Sequence, residues 1–216
     1  AEDFRIEIII DADRREISIK DNGTGIEKTQ VPKILLDIGN STKRHTNNRG
    51  FRGIGRLGGL SYCSKLSFCT TAVGDAEKTL VTFNCDKLKD LLVPGKNSEY
   101  NLQRVIQEVV VIRYFPEQAS AHYFIVKMEG IDEISSLLDT TAARSYISQV
   151  APLPYKNQFY WQNGIKENCA KAGVNLAEYP IFLGKSFESL SQLYKPYRIS
   201  FKSDKGRFND TILDVS

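Results

Sequence analysis

Two short motifs contain the residues of this chain that are best suited to chemistry. The first, Asp21-Asn22-Gly23-Thr24-Gly25-Ile26, places a carboxylate beside two glycines where a strand is expected to end. Such a carboxylate can accept a hydrogen bond from an amino group on a flat ring, and glycine lets the backbone approach the ring closely. Adenine carries an amino group at its 6-position, whereas guanine carries a carbonyl there. The motif therefore predicts that Asp21, Gly23 and Gly25 bind an adenine base.

The second motif is glycine-rich and leads into a short helix predicted over 53–62. It reads Arg49-Gly50-Phe51-Arg52-Gly53-Ile54-Gly55-Arg56-Leu57-Gly58. Backbone N–H groups at a helix start, together with the positive end of the helix dipole, form an anion site. The motif is not a P-loop, because no Gly-Lys-Ser/Thr follows at the required spacing. It is not a dinucleotide fingerprint either, since that would follow the first strand of a βαβ unit. We therefore predict a phosphate-binding loop.

The composition is that of an ordinary globular chain. Of its 216 residues, 41% are hydrophobic and 25% are charged. This length is enough for one large domain or for one and a half domains. The net charge of +3 is too small to indicate a nucleic-acid partner. No apolar run approaches the roughly 18 residues of a membrane span. The four cysteines lack metal-ligand spacing, which favours reduced thiols in a cytoplasmic protein without a metal centre of its own.

The first part of the chain shows the periodicity of a hairpin followed by a helix. Alternating apolar and charged residues predict strands over 4–8 and 16–20, and Asp21 directly follows the second strand. A helix is predicted over 28–38, where Val31, Ile34, Leu35 and Ile38 form one apolar stripe. Residues 39–49 are polar and basic, so we expect a mobile loop between this helix and the glycine-rich motif.

The pattern of elements changes after Gly130, and we place a domain boundary near residue 139. Before it, strands are predicted over 65–71, 79–85, 107–114 and 123–128. After it, Thr140 or Thr141 is suited to cap a helix that runs to residue 150, and a small helix ends at Gly173. Further strands are predicted near 179–183, 197–202 and 211–215. The expected domains are 1–139 and 140–216.

The order of these motifs resembles that of the GHKL ATPases, the gyrase, heat-shock chaperone, histidine kinase and MutL type. The shared order is Asp-x-Gly-x-Gly, an amphipathic helix, a polar lid, Gly-x-x-Gly-x-Gly and a helix. The resemblance covers about residues 4–131. It implies a Bergerat-type α+β fold: a two-layer sandwich with a mixed, mostly antiparallel sheet, followed here by part of a second α/β domain. It also implies ATP and Mg²⁺ as ligands, with a lid that closes over the nucleotide.

Carried over residue by residue, the resemblance assigns one group of residues to each part of the nucleotide. Ser41, Thr42 and Lys43 resemble the lid entry of MutL-like members. The stretch 50–53 looks like the MutL version of the phosphate motif, and 53–55 looks like the chaperone version. The implied nucleotide-binding residues are Asp21, Gly23, Gly25, Ser41, Thr42, Lys43, Gly50, Phe51, Arg52, Gly53, Ile54 and Gly55.

The chain departs from the family pattern in two places. In the family, a helix before the first strand supplies a glutamate that activates water and an asparagine that holds magnesium. Ala1-Glu2-Asp3-Phe4 looks like the tail of that segment, so we expect a piece of a longer protein and identify no catalytic residue. The family also places a Gly-Thr pair before a later strand, where this chain has Ser120-Ala121-His122. We expect His122 to be neither catalytic nor a ligand.

The motifs leave several functions open. The leading hypothesis is an ATP-binding and ATP-hydrolysing module of a chaperone-like or MutL-like ATPase, with a protein client or dimer partner. A non-hydrolysing ATP-dependent interaction switch is an alternative, since the chain offers no credible general base. A histidine-kinase catalytic domain is a third, although the extra C-terminal strands argue against it. The last is a soluble α+β domain with incidental glycine turns, because Asp-Asn-Gly alone is most often a turn.

Overall fold

The described residues of this computed structural model are 4–36, 55–93, 101–201 and 211–215. They form ten strands, with these bounds: β1 (Ile6–Asp11), β2 (Glu16–Asp21), β3 (Lys65–Thr71), β4 (Glu77–Asn84), β5 (Val110–Pro116), β6 (Tyr123–Glu129), β7 (Ile181–Gly184), β8 (Ser191–Gln192), β9 (Tyr197–Phe201) and β10 (Thr211–Val215).

Eight of these strands form one sheet, in the order β5-β4-β3-β6-β2-β1-β7-β8. Neighbouring strands are antiparallel throughout, except that β1 and β7 run parallel. The predicted α+β class with a mixed, mostly antiparallel sheet is therefore confirmed. β9 and β10 pair with each other as a separate antiparallel ribbon.

Four α-helices and four shorter helical turns are described. The α-helices are α1 (Cys85–Leu91), α2 (Leu102–Val109), α3 (Thr140–Val150) and α4 (Gln162–Lys171). A π-helical turn spans Pro32–Leu36, and 3₁₀ turns span Gly55–Ser61, Ser136–Leu138 and Phe187–Ser189.

The core lies between one face of the sheet and the first helical turn. Val31 and Leu35, four residues apart, are buried against apolar side chains of the strands. Ile34 was predicted to share their stripe, but it is 41% exposed. The π-helical turn is wider than an α-helical turn, so residues three apart no longer lie on one face. The buried strand residues that complete this layer include Ile8, Ile10, Ile17, Leu66, Phe68, Val81 and Phe83.

Two helices occupy positions where the sequence predicted strand. Residues 107–109 belong to α2 rather than to a strand, because the Asn101 side chain accepts the Arg104 N–H and caps a helix there. Val105 and Val109, four residues apart, bury its inner face. Likewise Cys85 starts α1 instead of ending β4, because Asn84 caps that helix.

The cap of α3 also differs from the prediction. The Asp139 carboxylate accepts hydrogen bonds from the N–H groups of Thr141 (2.8 Å) and Ala142 (3.1 Å). Asp139 is therefore the cap in place of Thr140 or Thr141, and its negative charge also suits the helix N-terminus.

The main sheet draws strands from both sides of residue 139. β7 pairs with β1 in register, with Ile181 opposite Ile6, and β8 pairs with β7. The second part of the chain therefore extends the sheet that carries the first motif. The division into domains 1–139 and 140–216 remains a prediction.

Candidate functional site

Asp21 ends β2 on the face of the sheet that is covered by the first helical turn. It lies between Ile6 of β1 and Phe124 of β6, its partners in the two antiparallel ladders. Side chains two residues apart on a strand share a face, so Asp21 lies on the same side as the buried Ile17. The candidate site therefore forms at the edge of the core, with Asp21 at the end of a strand.

The carboxylate of Asp21 is half-buried and held by the next turn. Its Oδ1 accepts a hydrogen bond from the Gly23 N–H at 2.9 Å. Burial raises the pKa of Asp21 above its usual value, and the Gly23 hydrogen bond partly offsets this increase. One oxygen is thus fixed by the backbone, and the carboxylate keeps a second oxygen for a ligand donor.

Both glycines of this motif are required by the local geometry. A Cβ on Gly23 would lie 2.8 Å from Asp21 Oδ1, which would push the carboxylate out of position. Gly25 has a φ of +67°, and a Cβ there would lie 1.8 Å from the carbonyl oxygen of Thr71. Only glycine allows the turn to pack this closely against β3.

A buried threonine, Thr70, holds the end of this turn. The Thr70 hydroxyl accepts a hydrogen bond from the Ile26 N–H at 2.9 Å and donates one to the Tyr123 carbonyl at 2.8 Å. Its observed role is to link the turn to β3 and β6.

Two aromatic rings lie on the β1 side of the turn. The ring of Phe4 is 3.6 Å from the position of a Cβ on Gly23, and it meets Tyr179 edge-to-face with ring centroids 5.5 Å apart. Tyr179 lies just before β7, so the later part of the chain reaches the candidate site. No local sequence pattern indicated either residue, because only the parallel pairing of β1 and β7 brings them together.

His122 contacts the same turn from the β6 side. Its Nδ1 lies 2.7 Å from the carbonyl oxygen of Gly23. His122 belongs to the stretch where the family has a Gly-Thr pair. The sequence alone gave no sign of this contact, since the two residues are 99 positions apart.

The structure brings together three of the predicted residues, Asp21, Gly23 and Gly25, whose role at the base remains a prediction. Gly55 starts the 3₁₀ turn that occupies part of the helix predicted over 53–62. The other predicted residues lie outside the described residues, so their roles at the phosphates and in the lid remain predictions. They are Ser41, Thr42, Lys43, Gly50, Phe51, Arg52, Gly53 and Ile54.

The described residues contain neither a metal-binding cluster nor a membrane-spanning helix. Within them, no group of three or more His, Cys, Asp or Glu side chains is arranged to hold a metal ion. No helix among them has the length and apolar character needed to cross a bilayer. All four cysteines are free thiols, and Cys63 and Cys85 are buried with their sulfurs 3.8 Å apart.

Comparison with known families identifies the class of this protein. Residues 1–109, just over half of the chain, match the family described as histidine kinase-, DNA gyrase B-, and HSP90-like ATPase. The chain belongs to this family, and adenine-nucleotide binding follows from that membership. No curated protein matches the chain.

Proposed function

We propose that this chain is the ATP-binding module of a chaperone-like or MutL-like ATPase that changes conformation as it binds and hydrolyses ATP. The observation that carries the proposal is the Asp21 carboxylate, half-buried at the end of β2 and fixed by the Gly23 N–H at 2.9 Å. Family membership supports ATP as the ligand.

The Asp21 carboxylate supports adenine as the base for a simple chemical reason. Its second oxygen can accept the 6-amino group of adenine in a charge-assisted hydrogen bond, worth about 1.5–3 kcal/mol. Guanine would present a carbonyl oxygen to the same carboxylate, and the two acceptors would repel each other. A side chain at position 23 would clash with Asp21 Oδ1, so glycine there leaves the carboxylate undisturbed.

The hydrolytic step is inferred from family membership and not from individual residues of this chain. In this family water attacks the terminal phosphate with help from a general base, while Mg²⁺ neutralises phosphate charge. Glu7 does not fit the role of base, because it alternates with Ile6 and Ile8 and so faces the opposite side of the sheet, where it pairs with Arg5 at 2.8 Å. We assign neither a base nor a magnesium ligand here.

Because Glu7 does not fit the role of base, the second candidate function is a non-hydrolysing ATP-dependent interaction switch. ATP turnover by the full-length protein distinguishes the two functions. Steady release of phosphate from ATP supports the ATPase, and binding without turnover supports the switch. Transfer of the phosphate to a histidine of a partner would instead identify a histidine kinase.

Isothermal calorimetry on wild type and Asp21→Asn tests the binding site. We expect ATP with Mg²⁺ to bind the wild type and to bind Asp21→Asn about tenfold more weakly, because the amide loses the charge-assisted bond. Asp13→Asn is a matched control, since Asp13 is exposed in the turn at the other end of β2. Equal ATP affinity for wild type and Asp21→Asn would refute the base-reading role.

A further inference from the structure

The contact between His122 and Gly23 has a defined direction of donation. The Gly23 carbonyl oxygen can only accept, so His122 Nδ1, 2.7 Å away, must carry the proton. The ring is then either the neutral Nδ1–H tautomer or the imidazolium, and both can make this bond. The side chain of His122 is exposed apart from this contact, so burial of the ring does not explain its position.

Gly23 links His122 to the base-reading carboxylate through two hydrogen bonds. Its N–H donates to Asp21 Oδ1 at 2.9 Å, and its carbonyl accepts from His122. Glycine has more conformational freedom than any other residue, and a side chain is excluded here because its Cβ would meet Asp21 Oδ1. The backbone that orients the carboxylate therefore needs an external restraint.

Neighbouring restraints act on either side of Gly23. Upstream, the Arg5 N–H donates to the Asn22 side chain at 2.7 Å. Downstream, the Ile26 N–H donates to Thr70. Among the described residues, His122 provides the side-chain hydrogen bond to the Gly23 carbonyl between these two anchors.

We propose that His122 is a positioning residue that orients Asp21 toward the 6-amino group of adenine. It acts through Gly23 and does not itself touch the nucleotide. The proposal rests on the proposed function, since it assumes that Asp21 reads adenine. It makes His122 a determinant of base specificity that this chain carries in the stretch where its family has a Gly-Thr pair.

Two variants separate the hydrogen bond from the size of the side chain. His122→Asn keeps a donor, because the asparagine amide nitrogen occupies nearly the position of the imidazole Nδ1. His122→Leu has a side chain of similar bulk but lacks the Nδ1–H donor. Ser120→Ala in the same turn is the matched control, since Ser120 is exposed.

Calorimetry should compare ATP with purine riboside triphosphate, which lacks the 6-amino group, in the presence of Mg²⁺. We expect His122→Leu to weaken ATP binding by about three- to tenfold, the effect of one hydrogen bond. Binding of purine riboside triphosphate should change less than twofold. His122→Asn and Ser120→Ala should bind ATP within about twofold of wild type. This pattern would show that His122 affects ATP affinity through the 6-amino group of adenine, which Asp21 is proposed to bind.

Three outcomes would overturn the role of His122 without refuting the proposed function. They are wild-type ATP affinity in His122→Leu, an equal loss for both nucleotides, and an equal loss in His122→Leu and His122→Asn. Thermal unfolding of each variant would show whether an equal loss reflects a damaged fold. A wild-type protein that binds no ATP would instead refute the proposed function, and the inference with it.

Discussion

Thr70 and Ile26 are joined by a hydrogen bond in which the Ile26 N–H donates to the Thr70 hydroxyl at 2.9 Å. The same hydroxyl donates to the Tyr123 carbonyl at 2.8 Å. One side chain on β3 thus ties the glycine turn to β6. The next residue, Thr71, is equally buried at 1% exposure, but its hydroxyl has no hydrogen-bond partner among the described residues.

These adjacent threonines should respond oppositely to substitution by valine. Thr70→Val leaves the Ile26 N–H and the Tyr123 carbonyl without their partner, and we expect it to lower the free energy of unfolding by about 1–3 kcal/mol. Thr71→Val removes an unsatisfied buried hydroxyl, so it should be neutral or stabilising. Urea denaturation of both variants measures the difference, and equal losses would contradict this account of the two hydroxyls.

Gly25 and Gly74, two of the four described glycines with positive φ, should differ in their tolerance of alanine. Gly25→Ala places a Cβ 1.8 Å from the Thr71 carbonyl oxygen, so we expect a loss of more than about 3 kcal/mol or failure to fold. Gly74 has a φ of +99° but no atom near its Cβ position, so Gly74→Ala carries only backbone strain of about 1–2 kcal/mol. Soluble expression and thermal unfolding provide the comparison. Similar costs at the two positions would show that the clash with Thr71 is not decisive.

The pH dependence of stability should reveal the burial of Asp21. Burial raises the pKa of Asp21 in the folded protein, so folding favours the protonated carboxyl. The ionised group therefore costs stability above its folded pKa, and this cost disappears as the pH falls to its unfolded value near 3.8. Without nucleotide, Asp21→Asn should be slightly more stable than wild type at pH 7 and should lose this advantage near pH 4.

Thermal unfolding of wild type and Asp21→Asn across pH 4–7 measures this effect. Asp13→Asn again serves as the exposed control and should show no such trend. A stability difference between wild type and Asp21→Asn that stays constant over this range would contradict the raised pKa.

The buried cysteine pair should be chemically inert in the native protein. The hydrogen bond with Cys85 and burial together raise the pKa of Cys63, whereas the same hydrogen bond lowers the pKa of Cys85, so it is burial that protects both sulfurs from reagents. Cys63 and Cys85 are also 1% and 0% exposed. We expect iodoacetamide to label the partly exposed Cys169 in the native state and to reach the buried pair only after unfolding. Rapid native labelling of Cys63, detected by mass spectrometry, would contradict this packing.

The sequence was most informative where a signal is local. Strand β3 has the predicted bounds 65–71, because alternation along a strand needs only neighbouring residues to be recognised. The Asp-x-Gly-x-Gly motif likewise indicated both the acid and the glycines. The prediction of a strand over 107–114 was wrong for residues 107–109, because Asn101 caps a helix upstream that includes them.

The surroundings of Asp21 depended on contacts between distant parts of the chain. Thr70 lies 44 residues from Ile26, and His122 lies 99 residues from Gly23. These contacts require the strand order β3-β6-β2-β1-β7 and its register, which are set by packing over the whole sheet. The sequence by itself therefore determined which residues are candidates to bind an adenine, namely Asp21, Gly23 and Gly25. Only the tertiary structure decided which side chains hold Asp21 in place, because hydrogen bonds across strands depend on a register that no local pattern specifies.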